Sequence, residues 1–155
     1  MKVTRAYKCS KIIKAPLGFV YDWCTDFRND DPAMTGSKSS RRILEKSKER
    51  VVYSVDYKDP RKKGHVSVVT LKPPNAWHLD TAGNEKDTKV ADYRLTKIGE
   101  EITRLDILFR ETFAGMIAPT RGQLSDHVSE LWNKYIVHLE REYTKRTQRR
   151  GSPVV

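Results

Sequence analysis

The side chains able to do chemistry are few and dispersed. The chain carries four histidines, His65, His78, His127 and His138, and two cysteines, Cys9 and Cys24. A non-haem iron site asks for two histidines and a carboxylate that converge. Here no two histidines lie close in sequence, and His65 and His78 fall on different strands, so neither a metal nor another cofactor is expected. No Cys-x-x-Cys pair is present, which removes the common zinc spacings. Cys9 and Cys24 read as buried thiols rather than a disulfide. There is no nucleophile elbow, P-loop or G-x-G-x-x-G. His127, one turn into a C-terminal helix, is left as the one candidate acid or base. The competing reading is a histidine on an exposed helix surface, and the catalytic residues stay unknown. Asp56, Asp80, Asp92 and Asp106 all lie within strands, at the parity expected to face solvent.

Binding chemistry is better represented. Tyr53, Tyr57, Trp77 and Tyr93 sit at the inward parity of their strands. Leu105, Ile107 and Phe109 do the same on the last strand. Large aromatics with a few polar tips are the usual lining of small-molecule sites. A solid core with those tips satisfied by backbone or water is the alternative. The opposite wall would come from Leu124, Val128, Leu131 and Tyr135 of the C-terminal helix. Met116, beside Ile117 in the 114–119 connection, would form an apolar lip. That connection and the 35–40 loop are expected to border a mouth.

Period and punctuation place these residues on elements. A first strand is expected over 7–14. Ala15-Pro16 then opens a short helix to about 25, since proline suits a first helical turn. Asp26 can cap a second short helix over 27–34, limited by Pro32. From there the apolar period is two. Strands are expected over 41–46, 51–57, 64–72, 77–81, 89–97 and 103–113, the last alternating most cleanly. Residues 120–146 return to helical spacing. Leu124, Val128, Leu131, Tyr135, Leu139 and Tyr143 form a stripe, widened by Trp132 and Ile136. Antiparallel strands with helices segregated at the ends make an α+β domain.

Composition sets the outer bounds. At 155 residues the chain is long enough for one domain with a real core. That domain is expected over 1–146, with a basic, disordered tail over 147–155. Hydrophobic residues make up 37% and charged residues 32%, which argues for a heavily solvated surface. No apolar run approaches the roughly 20 residues that span a bilayer, so no integral membrane segment is expected. The first residues lack the apolar core of a signal peptide, and a cytoplasmic location is expected. The net charge is +10, partly concentrated between Arg141 and Arg150. Nucleic acid or an anionic surface is therefore a conceivable partner. It is not the favoured one, because the remaining cations are scattered among acids. Nothing indicates the oligomeric state.

Three local patterns carry a family resemblance. Ile13-Lys14-Ala15-Pro16, then Val20-Tyr21 and Asp26, resembles the I-x-A-P, V-[WYF] and D pattern of the START-related, birch-pollen-allergen-like superfamily. Tyr93-Arg94-Leu95 followed by Thr103-Arg104-Leu105 resembles its penultimate hairpin, and the long C-terminal helix completes the likeness over about residues 3 to 146. The resemblance implies the helix-grip fold: a curved antiparallel sheet of about seven strands wrapped around the last helix, with two short helices after the first strand. It implies an apolar cavity between sheet and helix. Polyketide cyclase/dehydratase-like and coenzyme Q-binding-like relatives use that cavity in different ways, so the resemblance does not select one.

The leading expectation is therefore binding or carriage of a hydrophobic small molecule, whether lipid, isoprenoid, quinone or polyketide-like. A cyclase- or dehydratase-like enzyme using the same cavity is the second reading. It requires polar groups such as His127 with Tyr53 or Tyr93 to converge. A basic-surface module for protein or nucleic acid is the third.

Overall fold

The computed structural model describes residues 2–27, 36, 38–61, 63–82, 88–115 and 117–151. The strands are β1 (Val3–Ile13), β2 (Ser39–Lys46), β3 (Arg50–Tyr57), β4 (His65–Lys72), β5 (Ala76–Ala82), β6 (Thr88–Gly99) and β7 (Ile102–Phe113). The helices are α1 (Leu17–Thr25) and α2 (Arg121–Gly151). All seven strands form one curved antiparallel sheet in the order β1-β7-β6-β5-β4-β3-β2. The chain crosses once from edge to edge, between β1 and β2, and then meanders back until β7 pairs with β1. Of the two short helices expected after the first strand, α1 is observed. The second, over 27–34, lies outside the described residues except for Phe27.

The strands follow from alternation. On β7, Thr103, Leu105, Ile107 and Phe109 are buried while Arg104, Leu108 and Arg110 are exposed. The strand Asp residues occupy the outer face. His78 lies 2.6 Å from Asp92 and 3.1 Å from Asp80, and Ser10 donates to Asp106 at 2.6 Å. β1 begins four residues earlier than its apolar period suggests, because the long β7 supplies a ladder out to the Val3–Phe113 pair. At the start of β4, Gly64 is required by space: a Cβ there would stand 2.6 Å from the Val55 carbonyl oxygen.

The long helix starts with a reciprocal cap. Gln123 N–H donates to Thr120 Oγ1 at 3.1 Å, and Thr120 N–H donates to Gln123 Oε1 at 2.9 Å, which satisfies two donors the helix leaves open. α2 then runs to Gly151, five residues past the domain end expected at 146. Lys145, Arg146 and Gln148 are good helix formers, and Thr147 donates to the Tyr143 carbonyl at 2.9 Å. The last residues, 152–155, lie outside the described set.

α2 is seated on one half of the sheet. Among the strands its backbone approaches β1 most closely. Lys11 Nζ donates to Ser129 Oγ at 2.6 Å and Asn133 Oδ1 at 2.7 Å. Further along, Lys14 N–H donates to Glu140 and Trp23 Nε1 to Glu142. Between α2 and the rest of the domain, Ile13, Val20, Leu95, Leu105 and the helix's own Leu139 are at most 1% exposed. Thr103, also fully buried, donates to the Ala15 carbonyl at 2.8 Å and ties β7 to the start of α1.

Candidate functional site

Away from β1 the sheet curls up without α2 resting on it, and a cavity of about 190 Å³ remains between them. Its floor comes from neighbouring strands. Trp77 on β5 and Tyr93 on β6 are cross-strand partners, with rings stacked at 4.8 Å and 6°. The roof is α2: Trp132 lies 6.0 Å from Tyr93 and 5.3 Å from Tyr135, with Leu131 one position away. One side wall is α1 and the residues after it, Trp23, Cys24 and Phe27. Tyr53, Leu79, Arg41 and Lys89 close the far side. Seven of these twelve residues are aromatic, so stiff rings hold the space open where flexible aliphatics would collapse into it.

The polar groups of this cavity are phenols and cations. Burial pushes the Tyr93 phenol well above its ordinary value, with Tyr53 and Tyr135 adding to the effect. At neutral pH it is therefore a protonated donor. The Arg41 guanidinium sits over the Tyr53 ring, 4.3 Å from its centroid, and 5.7 Å from Phe27. Lys89 Nζ is 5.0 Å from the Phe109 centroid and 3.5 Å from Glu111. No Asp, Glu or His belongs to the described lining.

Lys89 also borders a second, more open basin of about 250 Å³ beyond it, with Tyr57, Lys63, His65, Thr81, Thr88 and Glu111 around it. Tyr57 Oη and His65 Nδ1 are 3.5 Å apart. Burial first, then Lys89 and Arg41, lower the His65 pKa, so the imidazole is neutral near pH 7. Nearby, the Tyr7 hydroxyl is buried without a hydrogen bond of good geometry, and its pKa is raised by burial and then by Glu111.

The residues singled out in the sequence are thus divided. Tyr53, Trp77, Tyr93, Leu131 and Tyr135 meet around the cavity. Tyr57 belongs to the basin instead. Leu105, Ile107, Phe109, Leu124 and Val128 do not line the cavity. They are buried in the hydrophobic core instead. Met116 lies outside the described residues. The described part of the 114–119 connection lines neither space; Ile117 is 91% exposed, and Arg5 binds the Pro119 carbonyl. His127 is exposed on α2 and belongs to neither lining, so the convergence of His127 with Tyr53 or Tyr93 does not occur. Arg41, Lys89, Leu79, Trp23, Cys24, Phe27 and Trp132 line the cavity without having been singled out for it. Trp132 stands on the helical stripe, and Lys89 shares the parity of Ala91 and Tyr93. For those two the signal was present in the spacing, as it was for Leu79, which shares the parity of Trp77.

Among the described residues no three His, Cys, Asp or Glu side chains gather as a metal site, and no helix is long and apolar enough to cross a membrane. Cys9 and Cys24 form no disulfide.

No family model and no curated protein sequence matches the chain. Solved structures do. The Zhui aromatase/cyclase from Streptomyces sp. R1128 superposes with a TM-score of 0.68 at 16% identity, covering 96% of this chain and 99% of that one. Norcoclaurine synthase from Thalictrum flavum, in complex with dopamine and hydroxybenzaldehyde, gives 0.66 at 7% identity, covering 93% and 88%. Ara h 8.0201 gives 0.63 at 9%, covering 88% and 98%. At these identities the likeness is one of fold: the chain has the helix-grip fold that the START-related and birch-pollen-allergen-like proteins share.

Proposed function

We propose that the protein binds a small, planar, largely apolar molecule in the cavity between the sheet and α2. The observation that carries this reading is the aromatic chamber itself, about 190 Å³ walled by Trp77, Tyr93, Trp132 and Tyr135. A packed core does not keep such a space, because each unfilled volume forfeits dispersion contacts. The size is below the roughly 300–1,000 Å³ of drug-sized pockets, which favours one or two fused rings over a long lipid or quinone tail. The likeness in fold to a cyclase, a synthase holding two aromatic compounds and Ara h 8.0201 is consistent with this use and does not choose a ligand.

Tryptophan fluorescence during titration with 2-naphthol tests the reading. Saturable quenching is expected, with a Kd on the order of 10–100 µM for a ligand of this size. Leu131→Trp should fill the chamber and abolish the quenching while the fold, followed by circular dichroism, persists. Absence of saturable binding, or equal binding to the filled variant, overturns the proposal.

A second reading, a cyclase-like enzyme, draws support from Tyr93. Its protonated phenol, together with Arg41, is suited to stabilising oxygen that gains negative charge. The described lining holds no carboxylate or imidazole to take a proton, and for that reason binding is the leading reading.

A further inference from the structure

We propose that the natural occupant is an aromatic carboxylate, its ring in the aromatic chamber and its charge received by Lys89, with Arg41 reinforcing the field. The inference rests on the binding reading and adds the ligand's charge and orientation to it.

Two cations point inward from strand positions where a soluble protein usually places apolar side chains. Arg41 lies opposite Val55 in the β2–β3 ladder, and Lys89 follows the same parity as Ala91 and Tyr93. Turning long cations toward a partly enclosed apolar space is unfavourable unless something there compensates them. For Arg41 the Tyr53 ring at 4.3 Å and further contacts supply that compensation, while for Lys89 the Phe109 ring at 5.0 Å does so in part. Glu111 does so for Lys89, but at 3.5 Å, longer than a good charge-assisted hydrogen bond. Across chamber and basin together, the described lining holds three cations, Arg41, Lys63 and Lys89, and the single carboxylate of Glu111.

The position of Lys89 gives the orientation. The residue borders both the aromatic chamber and the hydroxyl-bearing basin of Tyr57, Thr81 and Thr88, and its ammonium lies 3.5 Å from Glu111 of the basin. A flat ring held among Trp77, Tyr93 and Trp132 with a carboxylate directed at this boundary would meet a cation and neutral donors. It would meet one opposing charge, Glu111. Burial first, and then this same pair of cations, Lys89 and Arg41, disfavour the protonated form of His65. The bland alternative is that both cations serve only to cover ring faces.

Calorimetric titration with 2-naphthoate and its neutral isostere 2-naphthamide separates the two. Near neutral pH the wild-type chain is expected to bind naphthoate about tenfold more tightly, as one moderately desolvated ion pair provides. Lys89→Met should reduce that ratio to about twofold, and Arg41→Met should reduce it by less. Glu111→Gln removes the competing carboxylate and should raise naphthoate affinity, which tests the idea while both cations are retained. Equal affinity for naphthoate and naphthamide, or a ratio unchanged in all three variants, overturns the charge inference and leaves binding standing. Failure of naphthoate, naphthamide and 2-naphthol alike to bind overturns the binding reading and this inference with it.

Discussion

One sheet and one helix enclose two different interiors. Under α2, the half built from β1, β7 and the Leu95 end of β6 is filled by Ile13, Leu95, Leu105 and Leu139, none more than 1% exposed. Across the other half, from the Lys89–Tyr93 part of β6 to β2, the same helix roofs a chamber of about 190 Å³. The difference lies in how the helix is seated and in the kind of side chain facing it. Where α2 is pinned to β1 through Lys11, aliphatic groups interdigitate at close range. Where the helix diverges from the sheet, rings stack on one another, as Trp77 does on Tyr93, and span the gap without filling it. The packed half is the anchor that makes an unfilled half sustainable.

The contrast predicts unequal penalties for the same deletion. Leu105→Ala should destabilise the protein by about 3 kcal/mol, because its neighbours cannot close on the void. Leu131→Ala removes the same atoms beside space that already exists, and about 1 kcal/mol is expected, since the transfer loss is partial and little new cavity arises. Urea denaturation of both variants measures the difference. Equal losses would mean that the two halves are equally packed in solution.

A smaller effect is expected from Thr103→Val, which keeps the volume but removes the hydroxyl that donates to the Ala15 carbonyl at 2.8 Å. A buried carbonyl left without its partner costs about 1–3 kcal/mol. The loss should fall on the packed half alone. Denaturation should show it, while 2-naphthol binding should be unchanged. Weakened binding in this variant would show that the anchor also shapes the chamber.

Much of this division was visible in the residues and some of it was not. The alternation of Thr103, Leu105, Ile107 and Phe109 specified an inner face, and the helical spacing of Leu124, Val128, Trp132 and Leu139 specified a covering helix. Which strands that helix rests on depends on the order of strands across the sheet, and the return of β7 to β1 is a long-range pairing that leaves no local trace. Hence Leu105, Ile107 and Phe109 could not be distinguished from Trp77 and Tyr93 by parity, although the first three pack solidly and the last two line a space. Arg41 and Lys89 illustrate a different obstacle. A charged residue in a strand reads as solvent-facing by default. Their inward parity was weaker than that default until the register placed them around the chamber. His127 shows the converse: a chemically capable side chain near the stripe turns outward because the helix seats on Leu124 and Val128.

The smallest expected effect concerns pH, and it probes the open half alone. The folded pKa of His65 is lowered, first by burial and then by Lys89 and Arg41. Besides these cations, Tyr57 and the basin residues Lys63 and Glu111 are the titratable groups grouped with it. Because the unfolded imidazole titrates near 6.5, the unfolded chain takes up a proton there before the folded one does. The stabilisation tied to neutral His65 is thus present above about pH 6.5 and is lost as pH falls through the lowered folded value. Its contribution to the slope is at most about 1.4 kcal/mol per pH unit. His65→Gln should flatten the stability profile over that window, read from urea denaturation at successive pH values. Lys89→Met should flatten it only partly, since burial is the larger cause and remains. A profile that Lys89→Met leaves untouched would separate Lys89 from His65 and weaken the case for a shared positive field at the chamber's boundary.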